Sequence, residues 1–367
     1  METNKLRVLV LMCSTRPGAL GPAVGRWLVD ALTPHAAELG VELVPLALGD
    51  LDLPFLDEEE HPSSGIYRQE HTRRWSAIAD AADGFVAVTP EYNYGMPATL
   101  KNALDFLGSE WAWKPIGFVS YGNTSAGTRS VQHSKQVVTT LRMVPLGATV
   151  AIRIAEAVED GRLRPDTARD AAATELLDEL TRLAHALRPM RDRARPGTVP
   201  GPLPGSYARR LTPDDAPEVT VLQRACWMDE AIVNDTLDIP ALHETPDDVR
   251  EWLATWDTTG LWLDGRLLGM VRTRPDETDH HLGRLAVVPD LRGRGLGRWL
   301  LETAEASATR DARRILLFTG AKSEGNIALY QRQGYRLQPA VSTDGTVRLT
   351  KDLEITPGRG SGRGAGA

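Results

Sequence analysis

Residues 84–107 read GFVAVTPEYNYGMPATLKNALDFL, and this stretch decides the fold. Its opening GFVAVT is a near-continuous apolar run, the pattern of a strand buried on both faces. After a polar loop, Pro97 precedes Leu100, Ala103, Leu104 and Leu107 at i, i+3, i+4, i+7, which predicts a helix with one apolar face. The same alternation continues outward. LRVLVLM (6–12) and VELVPLA (41–47) come before, PIGFVSY (115–121) and LGATVAI (146–152) after, with helical patterns between them such as the one opening at Pro22. Five such strands separated by helices imply an α/β fold, a doubly wound five-stranded parallel sheet covered on both faces. Ligands of such sheets bind in the loops after the strand C-termini.

The 367 residues suffice for two domains of roughly 150 residues each. A net charge of −7 argues against a nucleic-acid footprint. The two cysteines, Cys13 and Cys226, exclude a disulfide scaffold or a cysteine-based zinc cluster and fit a reducing, cytoplasmic compartment. Val8 to Cys13 is too short for a membrane span and no cleavage site follows it, so neither a membrane anchor nor a leader is expected. Two compositional breaks stand out. RDRARPGTVPGPLPGS (191–206) reads as an exposed linker, and Pro357–Ala367, where Gly alternates with Arg, Ser and Ala, as a disordered tail. The expected division is a first domain at 1–190, the linker at 191–206, a second domain at 207–354 and the tail at 355–367. The second domain reads as α+β with a mixed sheet. Helical stretches (213–229, 246–256) precede LWLD (261–264), RLLGMVRT (266–273) and HLGRLAVV (281–288), then a Gly-rich turn, a helix, RILLFT (314–319), a helix and two closing strands.

Directly after the first strand, Cys13-Ser14-Thr15-Arg16-Pro17-Gly18 offers hydroxyls, backbone N–H groups and a guanidinium suited to a phosphate monoester. Taken alone, it is more simply a solvated turn. With TPEYNYGMPATLKNALDFL and SYGNTSAGTRS, it resembles the NADPH-dependent FMN reductases, which are flavodoxin-like, over roughly residues 5–190. That resemblance implies that Ser14, Thr15 and Arg16 bind the FMN phosphate, that Pro90, Glu91, Tyr92, Asn93, Tyr94 and Gly95 line the isoalloxazine, and that Tyr121, Gly122 and Asn123 cover its pyrimidine side. Cys13 departs from the family's usual Gly and is expected to crowd the phosphate loop slightly. Hydride transfer from NADPH needs stacking, exclusion of water and donors near the reduced flavin, without a side-chain acid or base. Tyr92 and Tyr94 are alternatively packing aromatics. Lys101, Asn102 and Asp105 are expected to cap, pair or line a subunit contact, and Trp111 and Trp113 to be core or dimer-interface residues.

In the second half, Arg292-Gly293-Arg294-Gly295-Leu296-Gly297 follows a strand and opens a helix, an arrangement that lets backbone N–H groups approach a pyrophosphate. With Asn326, Tyr330, Gly334 and Tyr335 in SEGNIALYQRQGY, it resembles the GNAT acetyltransferases over about residues 207–353. The resemblance implies acetyl-CoA as substrate, with Ala286 and Val287 pairing the pantetheine arm, Arg292, Gly293, Arg294, Gly295, Leu296 and Gly297 holding the pyrophosphate, Asn326 near the arm and Tyr330 facing the thioester sulfur. Tyr330 is alternatively a helix tyrosine packed on the sheet. The strand ILLFTG lacks the Glu that many members use as base, which leaves Asp279, His280, His281, Glu230 and Glu244 as candidates. No metal site is expected.

Together these readings describe a bifunctional enzyme, an FMN-dependent NAD(P)H oxidoreductase joined to an acetyl-CoA-dependent N-acetyltransferase. The electron acceptor is left open among flavin, quinone, azo and nitro compounds. The resemblance implies a homodimer or tetramer through the flavodoxin-like domain. The alternative is that one domain is a non-catalytic sensor, for example of flavin redox state.

Overall fold

The computed structural model describes residues 5–195, 197–309, 311–341 and 345–353, and the tail expected at 355–367 lies outside them. The chain divides into two compact units, Met1–Arg195 and Pro196–Ala367.

In the first unit the apolar runs become β1 (Leu6–Met12), β2 (Val41–Ala47), β3 (Gly84–Pro90), β4 (Pro115–Gly122) and β5 (Val144–Arg153), all parallel, in the order β2-β1-β3-β4-β5. Helices α1 (Gly21–Leu39), α2 (Glu70–Asp80), α3 (Ala98–Asp105) and α4 (Thr128–Thr140) connect them. A short helix α5 (Ile154–Ala157), a hairpin of β6 (Val158–Glu159) and β7 (Arg162–Leu163), and the long α6 (Thr167–Ala194) complete the unit. The doubly wound, flavodoxin-like sheet is thus observed. Period-two alternation divides β1 between two cores: Leu9 and Leu11 pack with Trp75, Leu100 and Val131, while Val8 and Val10 pack with Val24, Leu28 and Leu176. Both faces are covered, and this is why the strands read as unbroken apolar runs.

Residue 191 does not begin a linker. Helix α6 runs through Ala194, and Arg191 is buried, bonding the Asp83 carboxylate at 2.7 Å and its carbonyl at 3.1 Å. A tertiary ion pair extends a helix whose local sequence, with Pro189 and four charged or small residues after Met190, argues for a stop. The rest of the stretch is not featureless either, because Val199–Pro200 forms β8 and pairs with β9 (Tyr207–Arg210).

The second unit continues with α7 (Ala216–Asn234), α8 (Pro240–His243), α9 (Pro246–Thr255), β10 (Asp257–Leu263), β11 (Arg266–Asp276), β12 (Asp279–Val287), α10 (Leu296–Ala306), β13 (Arg314–Gly320), α11 (Glu324–Arg332), β14 (Arg336–Val341) and β15 (Thr346–Asp352). Its mixed sheet has the order β14-β15-β13-β12-β11-β10-β9-β8, every pairing antiparallel except β12 with β13. Buried Leu222, Val249, Leu261, Met270, Leu300 and Leu317 join helices and sheet in one core. No described helix is long and apolar enough to cross a membrane.

Candidate active sites

Strands β1, β3 and β4 are neighbours, so the loops after them meet at one end of the sheet. The Ser14 and Tyr92 hydroxyls share a hydrogen bond of 2.7 Å that ties the first loop to the second, and Ser14 Oγ also accepts from the Arg16 amide at 3.3 Å. Thr99 Oγ1 donates to the Cys13 carbonyl, a further link between them. Arg16 is exposed, and no hydrogen bond or ion pair holds its guanidinium among the described residues. A cleft of about 160 Å³ is lined by Arg16, Pro90, Glu91, Tyr92, Tyr121, Gly122 and Asn123, with Ala19, Leu20 and Ile154.

Tyr121 is buried, and its hydroxyl, close to Ser14, makes no well-formed hydrogen bond among the described residues. Burial, with the Tyr92 phenol and Cys13 nearby, pushes its pKa well above the usual range, so the hydroxyl is a protonated donor awaiting an acceptor. A Cβ at Gly21 would come within 3.0 Å of that hydroxyl, so glycine there lets α1 begin against the ring. An orphan donor in a cleft beside a free guanidinium suits a phosphorylated, acceptor-rich group such as FMN.

The β3 loop turns tightly. Tyr92 and Gly95 exchange both backbone hydrogen bonds at 3.1 and 2.9 Å, which places Asn93 (φ 49°) and Tyr94 (φ 68°) in the left-handed region. Asn tolerates that conformation and Tyr does so at a cost. The Arg129 guanidinium stacks on the exposed Tyr94 ring at 4.1 Å and steadies it. The carboxylate of Glu91 accepts from Ser125 Oγ, and from the Arg129 amide and guanidinium at 3.1 Å each. It therefore caps the first turn of α4 from another loop. Burial raises its pKa, but the bonds from Ser125 and Arg129 outweigh that and hold the carboxyl below its ordinary range. Glu91 lines the cleft while its charge serves as a clamp.

Several residues stand apart from the cleft. Thr15 is exposed, Gly95 lies against His133, Lys101 pairs with Asp105, and Asn102 bonds Pro54 and Leu56. Trp111 is buried against Trp75 and Phe85. Cys13 does not crowd the phosphate loop. Its side chain is fully buried in the core, Sγ donates to the Leu11 carbonyl at 3.3 Å, and burial pushes the thiol pKa far up.

In the second unit, β12 pairs with β13 only through Asp279, His280 and His281. From Leu282 onward the two strands part, leaving the side of β12 that faces β13 without a strand partner as far as Ala286 and Val287. An interior slot of this kind suits an extended, amide-bearing arm. At its end Gly293 (φ 77°) and Gly295 (φ 82°) turn the chain into α10, with nothing within 4 Å of where their Cβ atoms would lie, so a ligand can approach the backbone closely. The Arg292 side chain is held by Asp229 and the Cys226 carbonyl, and its backbone N–H donates to the Pro289 carbonyl at 3.4 Å. Cys226 Sγ in turn donates to the Val287 carbonyl at 3.3 Å.

Tyr330 is buried, its ring edge-on to Tyr335. Burial and the charge of Glu230 push its phenol pKa well above the usual range. Glu230 accepts from Ser323 Oγ and from Asn326 Nδ2 at 3.1 Å, which ties α7 to α11, and its charge reaches Tyr330 on the same helix as Asn326. Glu244 accepts from Arg284 at 2.6 Å and from Gln223 and Trp252 at 3.1 Å each. Asp279, His280 and His281 drop out as candidate bases. They occupy the closed, paired end of β12, where Asp279 is held by Arg314, His280 is buried beside Ser307 and His281 faces Asp276. Reading the sequence missed the clamp from Arg129 and Ser125 and the cluster of Gln223, Glu244, Arg284 and Trp252. The short polar run NTSAGTR was the one available signal for the first, and no spacing marks the second.

Residues 6–157 match the NADPH-dependent FMN reductase family and residues 223–335 the acetyltransferase (GNAT) family. The chain is 44% identical over 123 residues to an NAD(P)H-dependent FMN reductase of Schizosaccharomyces pombe, covering 33% of this chain and 60% of that protein's length. It is 32% identical over 143 residues to a quinone reductase of Escherichia coli, covering 37% of this chain and 71% of that one. A crystal structure of an acetyltransferase from Thermus thermophilus aligns with 40% of this chain and 97% of its own, at 23% identity and a TM-score of 0.35. The chain belongs to the NADPH-dependent FMN reductase family through its first unit, and a GNAT acetyltransferase domain occupies its second.

Proposed function

We propose that the chain is bifunctional, an FMN-dependent NAD(P)H oxidoreductase and an acetyl-CoA-dependent N-acetyltransferase. One observation carries each half: the cleft where Arg16, Tyr92 and Tyr121 converge, and the parting of β12 from β13 after His281. Bound FMN supplies a hydride acceptor that hands electrons on to a second substrate. Arg16 and the Ser14 hydroxyl hold its phosphate. The Glu91–Arg129 clamp fixes the strained Tyr92–Gly95 turn, and Tyr121 and the Gly122 and Asn123 backbone supply donors around the ring. The similarity to a quinone reductase supports a quinone as electron acceptor, with free flavin, azo and nitro compounds as the other arms of an assay.

In the transferase an amine nitrogen attacks the thioester carbonyl carbon, the N–C bond forms, the C–S bond breaks, and the ammonium proton passes to the departing thiolate. Reference pKa values of ~8.5 for a thiol and ~10 for a phenol make full proton transfer from tyrosine uphill by roughly 2 kcal/mol. The raised pKa of Tyr330 widens that gap, so Tyr330 hydrogen-bonds the sulfur and the ammonium supplies the proton. Glu230 positions Asn326 and keeps Tyr330 protonated.

The reading places the protein in the cytoplasm, where NADPH and acetyl-CoA are supplied. It also includes self-association through the first unit, supported by the exposed Phe55, Leu56 and Ile66. Purified chain should be yellow, oxidise NADPH with a quinone and release thiol from acetyl-CoA with an amine. A colourless protein that takes up no added FMN would overturn the first half, and failure to bind acetyl-CoA the second.

A further inference from the structure

Beside the Glu244 cluster stands a cation with no carboxylate partner among the described residues. Arg272 of β11 lies half-buried between two indoles, its guanidinium 4.7 Å from the Trp252 ring and 4.3 Å from the Trp256 ring. Stacking covers its faces but satisfies none of its N–H donors. Its Nε is buried without a hydrogen bond, and no carboxylate or carbonyl among the described residues bonds its terminal nitrogens. Glu244, whose charge reaches Arg272, is already taken by Arg284 at 2.6 Å. Burial, reinforced by the charge of Arg284, pushes the Arg272 pKa down to about 10. A half-buried guanidinium whose Nε is out of reach of water and whose terminal nitrogens meet no carboxylate among the described residues is a ready contact for an anionic group.

The place in the sheet says what that visitor is. Arg272 stands opposite Gly283, next to Arg284, whose φ of 51° marks the irregularity in β12 just past the point where it leaves β13. From Gly283 to Ala286, on the edge that faces the acyl donor, is ~10 Å of strand, a span that a long guanidinium side chain and a small molecule cover together. Helix α7 contributes Gln223, the turn between α8 and α9 Glu244, and α9 Trp252 to the same cluster.

We infer that Arg272 is the specificity-determining residue for the acetyl acceptor, reading a carboxylate on the amine substrate, so that the acceptor class is small amino acids rather than simple amines. The inference rests on the acetyltransferase reading of this unit. The free planar edge of a guanidinium set on indole rings matches a carboxylate's two oxygens, and because Arg274 lies on the same Trp256 ring at 4.6 Å, the phosphoethanolamine arm of the test separates this from a phosphate dianion.

The test uses the full chain. Calorimetry with acetyl-CoA comes first, since it tests the acetyltransferase reading without any acceptor. Thiol release is then measured with a panel of L-amino acids, each beside its primary amide and its decarboxylated amine, and with O-phosphoethanolamine. At least one amino acid should exceed its amide in kcat/KM by tenfold or more, chiefly through KM. Arg272→Gln should collapse that ratio toward one and Arg272→Lys should keep part of it, each variant being checked for acetyl-CoA binding to show that it has folded. The inference is overturned if a chain that binds acetyl-CoA turns over amides, amines or phosphoethanolamine as well as the acids, or no acid at all, or if Arg272→Gln lowers acid and amide alike. Failure to bind acetyl-CoA would instead remove the reading on which it rests.

Discussion

Arg16 is exposed at the mouth of a cleft, and among the described residues its side chain makes no hydrogen bond or ion pair that removing it would disturb. Arg16→Ala should therefore weaken FMN binding by the value of one charge-assisted contact, ~1.5–3 kcal/mol or about 10- to 150-fold, without changing thermal stability of the apoprotein. Fluorescence titration with FMN checks this, and unchanged affinity would remove Arg16 from the phosphate site. Tyr330 differs because it is buried and its pKa is raised. Tyr330→Phe should lower kcat of acetyl transfer by about 10- to 100-fold while leaving acetyl-CoA affinity close to that of the parent chain. The wild-type rate should show no fall from phenol ionisation below about pH 10, since the folded-state pKa lies above the reference value. A limb near pH 8 or 9 that Tyr330→Phe abolishes would contradict the hydrogen-bonding role.

At the scale of elements, the strained β3 loop is held by a charge on another loop. The pKa of Glu91 is lowered by folding, so its contribution to stability is present above the unfolded value of ~4.3 and is lost as pH falls through the lower folded value. Glu91→Gln should therefore destabilise the first unit at pH 7 by ~1.5–3 kcal/mol, and the difference in melting temperature should shrink as pH drops below about 4. A difference independent of pH would show that the carboxylate's charge is not what clamps the loop. Legibility of the elements followed their surroundings. Strands covered on both faces must be apolar throughout, so β1, β3 and β4 could be read from the sequence almost to the residue. The end of α6 could not, because what extends it is Asp83, more than 100 residues away. The Gly- and Ser-rich cofactor loops carry their chemistry locally and in order. By contrast, Gln223, Glu244, Arg272 and Arg284 come from separate elements and meet only when the sheet and α7 to α9 fold.

For the whole molecule, each unit has hydrophobic clusters of its own, with Trp75 and Leu28 in those of the first and Leu261 and Leu300 in that of the second. We therefore expect two domains that fold independently. Introducing a protease site within Gly197–Gly205 and cleaving should yield two soluble fragments, the first retaining FMN and the second acetyl-CoA. Aggregation of either fragment would show that the units depend on each other for folding. The claim most in need of a direct test is that one chain carries both cofactor sites intact. Native mass spectrometry of the full chain with FMN and acetyl-CoA reads this in one measurement. The expected species carries one FMN and one acetyl-CoA per chain, with FMN occupancy lowered in Arg16→Ala and acetyl-CoA retained. Chains that take up only one of the two ligands at saturating concentrations would contradict it.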